Sequence, residues 1–458
     1  MSASLFGPDD REASDEQGTF ERQAATPIGD GQPRLRIPQR VQVEMQWGSL
    51  DQLLEPEHPA RHVWQIVCQL DLSAWLKAIQ AVAHAPGRDA TDPRLLVALW
   101  VYATLEGIAS ARVLDDLCQN HLAYRWLCGG VTLNYHTLSD FRSRNRAAWD
   151  ELLTTIVGAL LSTGLVPLRS IAQDGMRVRA SAGGGSFRRQ ATLEKCLREA
   201  REQVQALRPH EEESVGQFNQ RVQAARQRAA RDKEERVREA IRQGEQLQQQ
   251  REKRRKRGGK PPQEARASTT DPEARVMQFA DGGFRPGYNV QFATDVDSGV
   301  IVGVDVVQEG SDFEQLPPML DQLQQRYRTT PEVALVDGGF ASKQAVETAT
   351  ARACTVYAPL RVEAKQLAAG QDPYAKKRTD TPALAAWRER MGTAAGRAIY
   401  KLRCQTAEWV NALARNRGLR FMPVRGLPKC RTIGVLYAIT HNLIVGAQLR
   451  AQAAMQAN

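Results

Sequence analysis

The sequence predicts an α/β fold in which a mixed sheet flanked by helices follows an all-helical N-terminal region and is interrupted by a long charged helical insertion. Three observations predict it. From Trp64 to about residue 166, apolar residues recur at three- and four-residue intervals. After Pro167 the period shortens, and strand-like runs alternate with a helical segment. Residues 189 to about 258 consist almost entirely of Gln, Glu, Arg, Lys and Ala, with too few apolar anchors for a core of their own.

Composition narrows the function classes. The 458 residues carry a formal charge of +10 and a pI near 9.4, which suits a polyanionic partner. The seven cysteines, at 68, 118, 128, 196, 354, 404 and 430, contain no CxxC pair, so neither a zinc ribbon nor a disulfide scaffold is expected. Histidines are scattered without an HExxH, which leaves any metal site to oxygen ligands. The N-terminus lacks the basic flank and apolar run of a signal peptide, and LLVALWVYATL at 95–105 is too short to span a bilayer. Export and membrane insertion are not expected, and the predicted location is the cytoplasm.

Taken in order, residues 1–35 are polar and rich in Gly, Pro, Asp and Glu, and read as a disordered tail. Residues 36–166 form the helical N-terminal domain, with Asp92-Pro93 opening one helix at a favourable N1 proline. Its SDFRSR stretch places Arg144 and Arg146 near a helix start, which fits either a DNA-binding head or an ordinary charged packing domain. The catalytic domain is expected over 167–450. Leu168–Ala180 reads as a central strand interrupted by Asp174, and Gly287–Gln308 as two strands joined by an Asp297-Ser298-Gly299 turn. LPPMLDQLQQRY is the helix before a further strand, VALV. The insertion at 189–258 is a helical arm or hairpin whose end, Arg251 to Lys260, holds seven basic residues. Lys253, Arg254, Arg255, Lys256 and Arg257 there are candidate phosphate contacts.

The letters DGGF occur twice. Asp337 follows four largely apolar residues and falls where a buried strand reaches its sheet edge, a common place for catalytic groups. Gly338 and Gly339 behind it offer space and backbone freedom. Asp281 reads as a turn residue leading into the hairpin. Asp174 is the natural partner of Asp337, because a charge inside a central strand is costly unless paired or bound to metal. A third carboxylate is expected on a later helix, where Glu408, Asn411 and Arg415 share a face and Trp409, Val410 and Leu413 can pack on the sheet. Asp295, Asp297, Asp305 and Asp312 read as structural, with Ser311 and Glu314 forming a helix capping box. His441 and Asn442 fit either the site or a core role, and Cys404 receives no chemistry.

These blocks together resemble DDE-type insertion-sequence transposases related to IS1182 and IS5. The resemblance covers most of residues 60–445: PRLLVALWVYATLEGIASARVLDDLC, YRWLCGG, LNYHTLSDFR, AQDGMRVRASAG, STTDPEAR, GYNVQ, VDGGF, YKLRCQTAEWVNALARNRGL and HNL at 441–443. It implies an RNase H-like catalytic core that cuts and rejoins DNA at terminal inverted repeats. Its catalytic triad falls on Asp174, Asp337 and Glu408, which would bind Mg²⁺, with Mn²⁺ able to substitute. The C-terminal signature of such enzymes runs Tyr, two residues, Arg, three residues, Glu, six residues, Lys. Here Tyr400 and Arg403 fit, four residues separate Arg403 from Glu408, and Arg415 replaces the Lys. Tyr400, Lys401, Arg403, Arg415 and Arg417 are implied phosphate contacts, Tyr400 fitting equally a packed aromatic. The implied partners are double-stranded DNA with inverted repeats and a second copy of the chain, in a homodimer or higher oligomer, within the nucleoid of a prokaryote. A metal-dependent nuclease without strand transfer, or an inactive DNA-binding derivative, is the alternative.

Overall fold

The computed structural model describes residues 48–79, 89–207, 217–253, 262–361 and 363–457. The predicted tail at 1–35 and the candidates Arg254, Arg255, Lys256 and Arg257 lie outside these residues. Seven helices come first: α1 (Pro59–Cys68), α2 (Ser73–Leu76), α3 (Pro93–Leu105), α4 (Ala111–Asn120), α5 (Leu122–Cys128), α6 (Tyr135–Arg144) and α7 (Arg146–Ser162). Their starts follow from local chemistry. Asp92 accepts from the Arg94 amide ahead of Pro93, while Ser110 and Asn134 cap α4 and α6. Helix α3 is buried on nearly every face because it is apolar all round. Trp75, Phe141 and Trp149 form an aromatic cluster beside it, with ring centroids 5.2 to 5.9 Å apart.

The SDFRSR stretch ends at a junction between two helices. Arg144 closes α6 and pairs with Asp140, and Asn145 separates it from Arg146, the first residue of α7. Two residues before Arg144 lies a buried arginine: Arg142 is 4% exposed, stands over the Trp100 ring and donates to the Ala109 carbonyl. Its role is packing.

The sheet begins with β1 (Ser170–Arg179). A two-residue strand, β2 (Phe187–Arg188), leads into α8 (Gln190–Ala206) and α9 (Gln217–Lys253), and β3 (Ala267–Ser268) pairs back on β2. The charged insertion is therefore a helical hairpin closed at its base by a short ribbon. A small apolar cluster of Leu193, Ala240 and Ala267 anchors it, as expected for a segment that cannot form a larger core. Then come β4 (Arg275–Gln278), β5 (Phe284–Asp295), β6 (Ile301–Val307), α10 (Leu316–Tyr327), β7 (Val333–Val336), α11 (Lys343–Ala351) and β8 (Thr355–Tyr357). Helices α12 (Glu363–Ala368), α13 (Pro382–Gly392) and α14 (Ala394–Arg403), a single π-helical turn at Cys404–Glu408, α15 (Trp409–Asn416) and α16 (Leu427–Ala457) complete the chain.

The result is a curled mixed sheet. β5 pairs antiparallel with β1, β6 and β4, the last two sharing its outer edge, while β7 and β8 continue parallel from β1. On one face, Gly434 lets α16 approach Val304, Val306 and Val290; on the other, Gly303 gives α10 room for Met319 and Leu323. Helix α16 also packs on α3 and α7, so one core runs from the N-terminal helices into the sheet. By length and composition α16 could cross a membrane, but 78% of its apolar window is buried within the protein, as in a core helix.

His441 and Asn442, on α16, hold the β5–β6 hairpin rather than the site. Asn442 clamps both the amide and the carbonyl of Ile301, and His441 Nε2 lies 2.9 Å from the Gly299 carbonyl. Burial, opposed by this bond and reinforced by the Arg417 charge, lowers the His441 pKa from 6.5 to about 4. The unfolded chain therefore binds an extra proton between those values, and acidification costs stability in that window. The expected contribution is on the order of 2 kcal/mol lost between pH 7 and pH 5. Urea unfolding at both pH values should show that difference shrinking in the His441→Gln variant; an unchanged difference would remove His441 as its source.

Candidate active site

Register builds the site. β1 and β7 pair in parallel up to Gln173 and Val336, so the next residues, Asp174 and Asp337, continue the register side by side. Neighbouring strands are about 4.8 Å apart, which brings two carboxylates close without any loop having to deliver them. Asp337 is turned by its own loop: Oδ1 accepts from the Gly339 amide at 2.5 Å and the Phe340 amide at 3.3 Å. The glycines matter here for space rather than for the backbone freedom expected from sequence, since neither has a positive φ. A Cβ at 339 would stand 2.6 Å from Asp337 Oδ1, and one at 338 would stand 2.9 Å from the Pro359 carbonyl. Arg361 fastens the same loop, donating to the carbonyls of Gly338 and Gly339 at 2.9 and 2.7 Å.

The first DGGF is a turn, as its sequence setting implied. Asp281 accepts from the Gly283 amide and pairs with Arg285 between β4 and β5. Asp295 caps Ser298 in the hairpin turn, and Asp305 pairs with Arg431. The expected capping box at Ser311 and Glu314 is not formed. Ser311 Oγ accepts from Phe313 instead, Glu314 has φ +62°, and α10 starts at Leu316 beyond Gln315.

Glu408 arrives from the opposite side. A π-turn accommodates one residue more than an α-helical turn, so residues five apart stack along it. The turn at Cys404–Glu408 does this for Arg403 and Glu408, whose side chains meet at 2.8 Å. It absorbs the additional residue that sets this chain apart from the usual Arg-to-Glu spacing. The same turn re-aims α15. Val410, Asn411 and Ala414 face inward and Trp409 is 46% exposed, edge-on to His441, whereas the sequence placed Trp409 on the sheet.

Arg403 joins the pieces. It is only 7% exposed, and its other terminal nitrogen contacts Asp174 Oδ1 at 3.0 Å. Asp174 also accepts from the Gly175 amide at 2.9 Å and from Asn411 Nδ2 at 3.0 Å. Burial pushes the Asp174 carboxyl above its ordinary pKa; Arg403 pulls it back, while the charges of Asp337 and Asp312 add to the push. The Arg403 pKa is raised too: its own desolvation is outweighed by the charges of Asp174, Tyr400, Asp337 and Glu408. Tyr400 is half-buried beside them. Lys401 and Arg415 are exposed, as is Lys253 at the end of α9. Arg417 is half-buried in a cleft with Trp100, Arg142 and Tyr437.

By donor chemistry alone, the carboxylates of Asp174, Asp337 and Glu408 would suit a hard divalent cation. Beside them Asn411 Oδ1 is buried without a hydrogen-bond partner. Among the described residues no three His, Cys, Asp or Glu side chains stand at metal-ligating spacing. A guanidinium already sits between Asp174 and Glu408.

Sequence reasoning gave Asn411 a helix face but no partner, and it missed a second polar layer. On the sheet face opposite Asp174, the buried Asp312 Oδ1 accepts from Asn289 and Gln291, both at 2.7 Å, and Oδ2 from Arg177 at 3.2 Å. Gln173 extends the layer by donating to Gln291 and to the Gln315 carbonyl. The available signal was the alternation of Asn289 and Gln291 on one face of an otherwise apolar strand.

Comparison with known proteins gives two family matches. The family described as Transposase domain (DUF772) matches residues 48–144, and the one described as Transposase DDE domain matches residues 257–419. Neither a curated protein nor a solved structure matches the chain. With one transposase family matching most of its N-terminal helices and the other the strands β3 to β8 and the helices up to α15, the chain belongs to the DDE-type insertion-sequence transposases, of the IS5 and IS1182 type.

Proposed function

We propose that the protein binds the terminal inverted repeats of an insertion sequence, cleaves the phosphodiester at each end and joins the freed 3′-hydroxyl to target DNA. The observation that carries this is that Asp174 and Glu408, from a central strand and a π-turn, share the guanidinium of Arg403, while Asp337 continues the register beside Asp174 and its charge acts on both Asp174 and Arg403. The strand order, with β1 central, an antiparallel β5–β6 hairpin on one side and parallel β7 and β8 on the other, supports an RNase H-like core.

Asp174, Asp337 and Glu408 would hold the divalent ions, Mg²⁺ with Mn²⁺ as substitute. When bound, these supply activation of a water or a DNA 3′-hydroxyl and stabilisation of the leaving 3′-oxygen. The chain's own groups do the orienting. Gly175 and Asn411 fix the Asp174 carboxylate, and the Gly339 and Phe340 amides fix Asp337. Glu408, half exposed on its side chain, closes the site from solvent. Tyr400, Lys401 and Arg415 flank it on α14 and α15 and would grip backbone phosphates, positioning DNA without reading bases. Arg417 lies further along, and Lys253 extends the basic surface on the helical hairpin. Bringing two ends together calls for a homodimer or higher assembly, acting in the nucleoid of a prokaryotic cytoplasm.

The test is joining. Purified protein, Mg²⁺ and pre-cleaved inverted-repeat ends bearing a 3′-hydroxyl should yield end-to-plasmid products. Cleavage of intact ends with no joined product would replace this reading with that of a nuclease.

A further inference from the structure

Arg403 does something in this structure that a phosphate-gripping arginine does not. Both of its terminal nitrogens are spent on carboxylates, Asp174 at 3.0 Å and Glu408 at 2.8 Å. These belong to the very oxygens a divalent ion would need. The guanidinium is nearly sealed from water, and its Nε is buried without an acceptor. That idle donor leaves room for a further acceptor in a second placement of the side chain. Charge argues the same way. Three carboxylates and one guanidinium leave the cluster net negative by two, which one divalent ion would cancel. A second ion would leave the cluster net positive by two unless DNA phosphate entered with it. Arginine is suited to that exchange, because its planar fork takes a phosphate as readily as a carboxylate.

We propose that Arg403 is an electrostatic gate: it serves as counter-cation to Asp174 and Glu408 in the free protein and passes to a DNA phosphate when divalent ions load. The gate rests on the reading of the three carboxylates as the metal-holding set. It makes metal binding and DNA binding mutually reinforcing, since each removes an obstacle to the other. It also keeps a DNA-cutting site from arming itself before DNA is present.

The experiment reads metal binding rather than cleavage. Mn²⁺ is titrated into the full-length protein without DNA and free Mn²⁺ is followed by electron paramagnetic resonance, for the parent, Arg403→Gln and Arg403→Lys. With the competing cation gone, Arg403→Gln should bind Mn²⁺ about tenfold more tightly, within the usual range of coupling between sites. Arg403→Lys, whose single ammonium cannot bridge both carboxylates, should fall between the two. Adding a non-specific duplex should tighten Mn²⁺ binding by the parent and not by Arg403→Gln. Circular dichroism checks that each variant is folded, and Arg403→Lys carries the test if Arg403→Gln is not. Equal or weaker Mn²⁺ binding by the folded variants overturns the gate while leaving the functional reading intact. If the parent and all variants fail to bind Mn²⁺ with or without DNA, both fall.

Discussion

Asp337→Asn is expected to abolish cleavage at element ends while leaving the fold and duplex binding in place. Asparagine keeps a carbonyl oxygen where Asp337 Oδ1 accepts from the Gly339 and Phe340 amides, so the loop after β7 retains its shape. What disappears is a negative charge and an anionic ligand. Loss of one preorganised electrostatic group costs about 10²–10³-fold in rate, and a carboxylate shared by metal ions lies at the upper end or beyond. Stability should move the other way. The Asp337 charge helps push up the neighbouring Asp174 carboxyl, so its removal relieves repulsion and the metal-free variant should melt no lower than the parent.

The same reasoning ranks the alternatives. Asp174→Asn is less clean, because an amide must then face both the Arg403 guanidinium and the Asn411 donor in a nearly buried setting. Glu408→Gln is cleaner, its side chain being half exposed. Denaturing gels of end-labelled DNA, with gel-shift binding and a thermal melt on the same preparations, decide the matter. Cleavage by Asp337→Asn within tenfold of the parent would take Asp337 out of the catalytic set.

Sequence and structure agree where a residue's setting is local. Asp174 interrupts a strand whose neighbours are apolar on both sides, and Asp337 ends an apolar run; both features are visible in ten letters, and parallel register does the rest. Glu408 was identifiable as a helical carboxylate, but its aim was not. Helical periodicity assumes 3.6 residues per turn, and a single π-turn shifts the phase of everything after it. Trp409 reads as sheet-facing from its apolarity but is 46% exposed, and the partner of Asn411, Asp174, lies 237 residues away, beyond the reach of any local pattern. The layer around Asp312 was invisible for another reason. Its partners Gln291, Asn289 and Arg177 lie 21, 23 and 135 residues away, so only the sheet assembles it. An aspartate near a helix start reads as a cap until its burial is known.

Gly175→Ala should be among the most destabilising single substitutions in the protein, although it changes one hydrogen to a methyl. Glycine inside a strand is ordinarily a weakness, and alanine there would be expected to help or to do little. Here the φ of Gly175 is not positive, so backbone freedom is not the issue. The issue is that Asp312 lies flat against the strand. An added Cβ would come 1.9 Å from Asp312 Oδ1, 2.5 Å from Gln291 Nε2 and 2.8 Å from Asn289 Oδ1. None of the three can retreat cheaply, because Asp312 is the acceptor for both amides and for Arg177, and all but Arg177 are buried. Relief requires breaking buried charge-assisted bonds or shifting β1, at a cost of about 3 kcal/mol or more. Any shift of β1 also moves Asp174, the preceding residue, so a surviving folded fraction should cleave poorly even when DNA binding is retained. Chemical denaturation of Gly175→Ala against the parent measures the first effect. The Gly175→Ala, Asp312→Ala pair separates its causes: it removes the clash with Asp312 and frees Gln291 and Asn289 to retreat, but leaves both amides and Arg177 without the Asp312 acceptor, so it should stay well below the parent in stability while showing strong non-additivity with the single changes. Purely additive losses would mean that Asp312 and Gly175 are not in contact in solution, and with that the polar layer would lose its claim to hold β1 in place beneath the site.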